Sequence, residues 1–458
     1  MKPIDAATVA AWSGGTLTSG AHGTIVSSVS TDTRSLPKGA LFVALTGERF
    51  DGHTMAADAV KAGAAAILAS RPVSVPDGFP VIVAPDSLTA LQQLAASWRR
   101  VWAGRITGLT GSNGKTSTKD ITSAILSRQF PTAATKGNLN NHIGVPLTLL
   151  AINPEHAAAV VEMGMNHHGE IAPLAAIAAP QTAIITNIGT AHIEHLGSRE
   201  GIALEKSALA SAIPADGTVI LNASDDFTPF IISRTSARIL TAGIGTGDVR
   251  IENLTSSPEG SRFHLHFPDG QHTHASLTLP GRHMAANAAL AAAAGWSHGL
   301  SAEAIADGLA NVSLTAGRVQ LRSVAGLSFL DDSYNANPDS MVAALETLRG
   351  LDTKGRRIAV LGRMGELGPH SPDGHRRTGA AAHSSGTNLL IVVNSGDAQL
   401  IADGFLAAGG SPSQVHLVPD AETCAAFLRQ SASPDDLILL KGSRSAGMER
   451  VLHFLSAP

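Results

Sequence analysis

A short glycine-rich run from Gly108 to Ser117 is the stretch of this sequence best suited to chemistry. It reads Gly-Leu-Thr-Gly-Ser-Asn-Gly-Lys-Thr-Ser, after an apolar segment typical of a strand and before a segment typical of a helix. Glycines let consecutive backbone N–H groups close around phosphate oxygens, and the N-terminus of the following helix adds a positive dipole. We expect Lys115 to reach the β and γ phosphates and Thr116 to ligate magnesium. The run therefore predicts a nucleotide-phosphate loop.

The spacing of this loop departs from the common G-x4-G-K-[ST] pattern. The position five before Gly114 is Leu109, where that pattern has glycine. The strand–loop–helix context still favours phosphate binding over an ordinary glycine-rich turn. A nucleotide-switched binding protein is one alternative, but the guanine-reading Asn-Lys-x-Asp motif is absent from the sequence, which disfavours a GTPase.

Apolar runs alternate with helical patterns along the 458 residues and predict mostly parallel sheets covered by helices. We predict an α/β protein of three domains: a small N-terminal α/β domain (1–104), a central P-loop ATPase-like domain (105–313) and a C-terminal Rossmann-like domain (314–458), with a hinge near 312–317. A helix is predicted at Ser87–Val101 and an antiparallel hairpin within Arg250–Leu279. The predicted strands are Leu41–Leu45, Ala66–Ala69, Val81–Ala84, Arg105–Thr110, Ala158–Met163, Ala183–Ile188, Val219–Leu221, Arg357–Leu361, Asn388–Val393, Gln414–Val418 and Asp435–Leu440.

Composition excludes several classes of protein. A net charge of −4 gives no general attraction to nucleic acid or anionic lipid. The one cysteine, Cys424, excludes an intrachain disulfide and is expected to be a buried, inert thiol. The first residues lack the pattern of a signal peptide, and the apolar run Met284–Trp296 is shorter than the about 20 residues that span a bilayer. We expect a cytoplasmic monomer without membrane insertion.

The segment Thr110–Ser117 resembles the ATP loop of the Mur ligases and of their relatives, the folylpolyglutamate synthetases. Further motifs resemble those of Mur ligases, in family order and over essentially the whole chain. They are Gly137–Pro146, Glu162–Gly164, Thr186–Ile188, Ala191–Gly197, Leu279–His283 with Asn287, Gly317–Arg318, Asp331–Pro338 and Lys441–Ser445. The resemblance implies an ATP-dependent amide-bond ligase of cell-wall synthesis that works through an acyl phosphate.

The N-terminal motifs Ser30–Arg34 and Leu41–His53 are similar to those of the family member that adds D-alanyl-D-alanine to UDP-N-acetylmuramoyl-tripeptide. That reaction gives the UDP-muramoyl-pentapeptide used as a peptidoglycan precursor. The Asp-Asn-Pro-Arg signature of the member that adds a diamino acid is absent. A folylpolyglutamate synthetase is the enzymatic alternative, but about 100 residues precede the ATP loop here, whereas that family normally starts close to it.

The resemblance also implies roles for individual residues. Lys115, Lys206 and His192 are expected to be catalytic, and Lys206 to be carbamylated by carbon dioxide. Two magnesium ions are expected on Thr116, Glu162, His192 and Lys206. Residues expected to contact ATP are Gly111, Ser112, Asn113, Gly114, Lys115, Thr116, Ser117, Asn287, Arg318 and Asp332.

Substrate contacts follow from the same resemblance. The uridine diphosphate end is expected at Thr31, Asp32 and Arg34, the muramoyl peptide at Asn138, Asn140 and Asn141, and the dipeptide at Tyr334, Asn335 and Asn337.

Several of these roles have an ordinary structural alternative. Turns suit Arg34, the Asp331–Asp332 pair and the loop asparagines Asn138, Asn140 and Asn141. A loop position suits Glu162, and solvent-exposed positions suit Lys206, His192 and Asn287. Three residues depart from the pattern expected of this family member: Ser207 and Ala208 replace an expected Gly-Glu after Lys206, and Arg363 replaces an aspartate.

Overall fold

Three large β-sheets follow one another along the chain in the computed structural model, which describes residues 1–456. They have five, nine and six strands, and a separate two-stranded sheet lies near the N-terminus. Each large sheet is mostly parallel and is covered by helices, which confirms the predicted α/β architecture. We refer to residues 1–101 as the N-terminal unit, residues 105–310 as the central unit and residues 320–456 as the C-terminal unit.

The N-terminal unit has the sheet order β2-β7-β6-β5-β4, in which only β2 is antiparallel. All residues of its two central strands, β5 and β6, are buried, as expected for a sheet covered on both faces. Its elements are β1 Ile4–Asp5, α1 Ala6–Ser13, β2 Thr16–Ser19, β3 Ile25–Val26, β4 Ser28–Ser30, β5 Ala40–Val43, α2 Ala56–Ala62, β6 Ala66–Ala69, β7 Val81–Val83 and α3 Ser87–Val101.

The central unit has the order β16-β15-β14-β13-β12-β11-β8-β10-β9. Strands β8 through β14 are parallel to one another. Strands β14, β15 and β16 form an antiparallel meander, which has one strand more than the predicted hairpin. Its elements are β8 Arg105–Thr110, α4 Lys115–Leu126, β9 Thr132–Ala134, α5 Gly144–Leu150, β10 Ala158–Glu162, α6 Ile171–Ala178, β11 Thr182–Ile185, α7 Ile193–Leu196, α8 Arg199–Ser211, β12 Thr218–Asn222, α9 Thr228–Ile232, β13 Arg238–Ile244, β14 Val249–Ser257, β15 Gly260–His266, β16 His272–Leu277, α10 Arg282–Ser297 and α11 Ala302–Ala310.

The C-terminal unit has the order β17-β18-β22-β19-β20-β21, with β17 as its antiparallel edge. The apolar strands β19, β20 and β22 account for much of its core, as expected for a Rossmann-like sheet. Its elements are β17 Gln320–Val324, β18 Leu327–Asp332, α12 Pro338–Gly350, β19 Arg357–Leu361, α13 Ser371–Ser384, β20 Leu389–Val393, α14 Gln399–Ala407, β21 Val415–Val418, α15 Ala421–Ser431, β22 Leu437–Lys441 and α16 Glu449–Ser456.

Polar contacts join the N-terminal and central units. The Arg99 guanidinium donates to the carbonyls of Ala178 at 2.9 Å and Ala179 at 3.1 Å, at the C-terminal end of α6. The amino group of Met1 donates to the carbonyl of Leu150 at 2.7 Å. These bonds satisfy helix carbonyls that have no partner within their own helix.

The segment between α11 and β17, where we predict a hinge, is attached to the helix that follows the phosphate loop. The backbone N–H and hydroxyl of Thr315 donate to one carboxylate oxygen of Asp120 at 2.9 and 3.0 Å. Val319 has a φ of 50°. A β-branched residue is strained in this left-handed region, so the connection is held in an unfavourable backbone conformation.

Two further features bear on the sequence-based expectations. Cys424 is buried, and burial raises the pKa of its thiol to about 12, in agreement with an inert side chain. No helix in residues 1–456 is long and apolar enough to cross a membrane.

Candidate active site

A pocket of about 1090 Å³ lies between the central and C-terminal units. Strands β8, β10 and β11 are parallel neighbours, and their carboxyl ends open into it. Ligands of open α/β sheets bind at such edges. Most of the predicted site residues line the pocket, namely Ser112, Asn113, Gly114, Lys115, Thr116, Ser117, Asn138, Asn140, Asn141, Glu162, His192, Asn287, Arg318, Asp332, Tyr334, Asn335 and Asn337.

The phosphate loop occupies the turn between β8 and α4. Gly111 has a φ of 150°, and a Cβ there would lie 1.8 Å from the Thr186 hydroxyl, so no side chain fits. Lys115 donates from Nζ to the carbonyl of Gly111 at 2.8 Å, and burial lowers the pKa of its amine. With α4 beginning at Lys115, the loop combines helix N–H groups with a lysine, as phosphate binding requires.

Glu162 is the last residue of the buried strand β10 and is 2% exposed, so the loop alternative for this carboxylate is wrong. Its Oε2 accepts a hydrogen bond from the Thr116 hydroxyl at 2.9 Å, and its Oε1 accepts one from the Asn140 amide at 2.8 Å. A buried carboxylate and a hydroxyl therefore meet beside the phosphate loop, and both are hard oxygen donors of the kind that magnesium prefers.

His192 faces this group from the loop before α7 and is half-buried rather than fully solvated. Its Nδ1 lies 2.6 Å from Oε2 of Glu366, which belongs to the C-terminal unit. Burial lowers the pKa of His192, while the hydrogen bond from its imidazole lowers the pKa of Glu366. The pair links the two walls of the pocket.

Lys206 lies in α8 and is 1% exposed, so the alternative of a solvated helix lysine is wrong. Burial, together with the charge of Lys115, lowers its pKa well below the ordinary value. No described residue forms a hydrogen bond with its amine. The carboxylate of the neighbouring Glu205 instead accepts hydrogen bonds from the backbone N–H groups of Gly169 at 2.7 Å and Ile171 at 2.8 Å.

The C-terminal unit contacts the phosphate loop directly. The Asn337 amide donates to Oδ1 of Asn113 at 2.7 Å, and Asn337 is also the N-cap of α12. Asp339, two residues later, accepts from both the backbone N–H and the hydroxyl of Thr190 at 2.9 Å. The start of α12 therefore lies against two loops of the central unit.

Two basic residues organise the C-terminal wall. The buried Lys441 forms an ion pair with Asp332 and donates to the carbonyl of Asn335 at 3.0 Å. Arg318 lies over the ring of Tyr334 with its guanidinium carbon 4.3 Å from the ring centre. A stacked guanidinium keeps its N–H donors free for an anion.

Asn287 is buried in α10 beneath the loop, where a Cβ on Gly114 would lie 2.6 Å from its Oδ1. The surface alternative for Asn287 is therefore wrong. Gly111 and Lys206 do not line the pocket, and neither do Thr31, Asp32 and Arg34. The guanidinium of Arg34 instead donates to Asp32 at 2.7 and 2.9 Å across an exposed turn.

Sequence patterns did not single out Glu366 and Asp339, and gave Lys441 no role of its own. Lys441 ends a fully buried strand, where a cation requires a partner, and that is the signal that could have identified it. Glu366 and Asp339 follow loops with no periodic pattern. Within residues 1–456, no three His, Cys, Asp or Glu side chains are grouped so that they could hold a metal ion by themselves.

Comparisons with known families match nearly the whole chain. The Mur ligase family catalytic domain matches residues 25–99, and the Mur ligase middle domain matches 109–295. The Mur ligase glutamate ligase domain matches 317–444.

Individual proteins give the same picture. The UDP-N-acetylmuramoyl-tripeptide--D-alanyl-D-alanine ligase of Bacillus subtilis is 38% identical over 432 residues, which cover 94% of this chain and 93% of the relative. A crystal structure of MurF from Acinetobacter baumannii superimposes with a TM-score of 0.90 at 34% identity and covers 100% of this chain and 99% of its own. MurF ligase from Thermotoga maritima, in complex with ADP, gives a TM-score of 0.82 at 27% identity, with coverage of 94% and 97%.

Proposed function

Because this chain belongs to the Mur ligase family of ATP-dependent, amide-bond-forming ligases, we propose that it joins D-alanyl-D-alanine to UDP-N-acetylmuramoyl-tripeptide. One observation carries the proposed chemistry: the phosphate loop and the C-terminal unit together line one pocket of about 1090 Å³ that is rich in asparagine and hydroxyl groups. The names of the most similar relatives support the choice of substrates.

The reaction has two stages. The terminal carboxylate of the tripeptide attacks the γ phosphorus of ATP. The bond from that phosphorus to the bridging oxygen breaks, which releases ADP and forms an acyl phosphate on the tripeptide. The free amine of the dipeptide then attacks the acyl carbon, loses a proton, and expels phosphate from a tetrahedral intermediate. Lys115, whose amine already bonds to the loop, stabilises charge on the transferring phosphoryl group.

The residues beside the loop fit magnesium. Thr116 and Glu162 offer a hydroxyl and a carboxylate 2.9 Å apart, and His192 lies on the same pocket wall. Magnesium held by these residues would neutralise charge on the phosphoryl oxygens. Asn140 fixes the other oxygen of Glu162 and so sets the orientation of its carboxylate.

Lys206 is proposed to be carbamylated and to hold a second magnesium ion. Its lowered pKa favours the neutral amine, which adds to carbon dioxide and releases a proton. The positive charge of Lys115, which disfavours a second cation at this position, would favour the anionic carbamate. The carbamate would supply an anionic oxygen in place of a cation.

Substrates are assigned to the three predicted domains. Residues 1–104, through Thr31, Asp32 and Arg34, are proposed to take the uridine diphosphate. Residues 105–313 hold ATP through the loop and Asn287, and the tripeptide near Asn138, Asn140 and Asn141. Residues 314–458 close on ATP with Arg318 and Asp332 and receive the dipeptide near Tyr334, Asn335 and Asn337. Sheets that lie wholly within these ranges support the division.

Such an enzyme would act in the cytoplasm, where its nucleotide-linked substrates are made, and would supply precursors for the cell wall and hence for cell division. We propose that it works as a monomer.

Phosphate release with defined substrates tests the proposal. We expect ATP-dependent release only when UDP-N-acetylmuramoyl-tripeptide and D-alanyl-D-alanine are both present, with equal amounts of pentapeptide product by mass spectrometry. Tripeptides ending in lysine and in diaminopimelate should both be supplied. Release with a folate and glutamate would instead support the folylpolyglutamate alternative, and release with nucleotide alone would support a nucleotide switch. No release with either tripeptide would remove the proposal.

A further inference from the structure

Strands β15 and β16 present four histidines on one face of the central sheet. His264 is paired with His274 and His266 with His272 in the antiparallel register. Directly opposed residues, and residues two apart, project from the same side of a sheet. The intervening Leu265 is buried in the core, so the imidazoles project to the outer side.

The opposed rings lie at distances suited to sharing one ion. The ring centres of His264 and His274 are 4.1 Å apart, and those of His266 and His272 are 5.8 Å apart. Two imidazoles bound to one tetrahedral ion through bonds of about 2 Å have ring centres about 5 Å apart. The two observed values lie on either side of this spacing, so both pairs are close to the separation that one shared ion requires.

A β-bulge beside the first pair creates a concave site. The register between β14 and β15 shifts between Glu252 and Thr255, and Asn253 has a left-handed φ of 53°. The Asn253 amide lies 3.3 Å from Nδ1 of His264. A cavity of about 360 Å³ opens here, lined by Asn253, Thr255, Arg262, Phe263, His264, His274, Ala275 and Ser276. Bulges commonly redirect side chains next to binding sites.

The second pair has a carboxylate beside it. Oε2 of Glu252 lies 3.3 Å from Nε2 of His266, and its other oxygen accepts from Arg250 at 2.8 Å. The turn joining β15 to β16 is held by a bond from Phe267 N–H to the carbonyl of Gln271 at 2.9 Å. The register of the imidazole pairs is therefore fixed without a ligand.

We propose that this histidine face, formed by His264, His266, His272 and His274, binds late first-row divalent ions such as Cu²⁺, Ni²⁺ or Zn²⁺. Each cross-strand pair supplies two imidazole nitrogens. Since two side chains do not fill a coordination shell, water would supply the remaining ligands. Affinity follows the order in which Cu²⁺ binds most tightly to nitrogen ligands. None of the four lines the large pocket, so the site is separate from the ligase reaction.

Equilibrium dialysis of the full chain against Cu²⁺ or Zn²⁺ at pH 7.5 tests the histidine face. We expect the quadruple variant (His264, His266, His272 and His274 each to Gln) to bind about two fewer ions than wild type, and each cross-strand double variant about one fewer. Lowering the pH to 5.5 should release these ions, because protonated imidazole does not ligate metal.

The variant H22Q/H453Q is the control, because it removes two exposed histidines that are not paired with another imidazole in residues 1–456. It should keep both ions of the histidine face. Ligase activity should be unchanged in the quadruple variant, which verifies its fold. Electron paramagnetic resonance of Cu²⁺ on the wild-type protein gives a second readout, with hyperfine coupling to two imidazole nitrogens expected. Equal stoichiometry in wild type and quadruple variant, or no nitrogen coupling, would overturn the proposal.

Discussion

Nδ1 of His192 lies 2.6 Å from Oε2 of Glu366, and the two residues come from different units of the chain. Both have left-handed backbone conformations, with φ of 62° and 59°. Such conformations are strained for residues other than glycine and persist where the surrounding structure fixes them, often at functional sites. This contact makes the orientation of His192 depend on the position of the C-terminal unit.

Replacing Glu366 tests this dependence. E366Q keeps the shape of the side chain but removes its negative charge, which weakens its contact with the His192 imidazole. Loss of a partner that orients a metal ligand typically costs about 10- to 100-fold in activity or metal affinity. We expect a higher Mg²⁺ concentration for half-maximal rate, with an unchanged KM for the UDP-linked substrate. E422Q, an exposed glutamate on α15, is the control. An unaltered Mg²⁺ requirement in E366Q would show that the pair is only structural.

Lys115 is expected to act mainly in the transition state. Removing one group that stabilises developing charge lowers kcat by about 100- to 1000-fold, so K115A should lose activity to that extent. Steady-state ADP formation measures the effect, and K354A, an exposed lysine in the C-terminal unit, should retain full activity. Peptide joining by K115A at the wild-type rate would contradict the proposed role of the loop.

Asp339 should hold the pocket closed in the absence of substrates. D339A removes the acceptor of two hydrogen bonds from Thr190 and of one from Arg377 at 3.0 Å. Small-angle scattering should show a larger radius of gyration for the free variant than for free wild type, with compaction restored by an ATP analogue and UDP-linked tripeptide. D403A, on the surface of α14, is the control. Identical scattering curves for D339A and wild type would argue against the closure role.

Carbamylation of Lys206 has a direct spectroscopic signature. With ¹³C-labelled bicarbonate, wild-type protein should give a carbamate carbon resonance that K206A and K206R lack, and both variants should lose most ligase activity. A carbamate signal of equal intensity in K206A would assign the modification to another amine.

His298 should make stability sensitive to mild acid. Its side chain is buried at the end of α10, 2.9 Å from the Thr107 hydroxyl, and burial lowers its pKa from 6.5 to about 4. As the pH falls, His298 therefore binds its additional proton in the unfolded chain before it does so in the folded chain. Stability is lost as pH falls from about 6.5 to about 4, by up to about 3 kcal/mol for one such group.

Thermal unfolding at pH 7.5, 6, 5 and 4.5 measures this effect. H298Q should show a smaller decrease in Tm over that range than wild type, although its Tm at pH 7.5 is lower because the contact with Thr107 changes. H142Q, an exposed histidine, should follow the wild-type curve. Parallel curves for H298Q and wild type would refute the assignment.

Much of the fold was predictable because its strands are short apolar runs with polar boundaries. Three strands have the predicted bounds, namely Ala66–Ala69, Arg105–Thr110 and Arg357–Leu361. The helix Ser87–Val101 also has its predicted bounds. The strand Arg238–Ile244 was not singled out, because its mixture of threonine, glycine and apolar residues has no clear period.

The site was predictable where one segment carries the chemistry, as in the phosphate loop. Contacts between distant segments were not: Asn113 meets Asn337, and His192 meets Glu366, only after two sheets pack together. Burial was equally invisible, since Lys206 and Asn287 are polar residues whose positions in helices suit exposure and core alike.

The hydrogen bond between Asn337 and Asn113 has a consequence for the pace of turnover. We expect α12 to move away from the loop only when this amide-to-amide contact separates, because Asn337 caps the helix and Asn113 belongs to the loop. Where nucleotide exchange requires that movement, a faster chemical step alone would not raise the number of cycles per second.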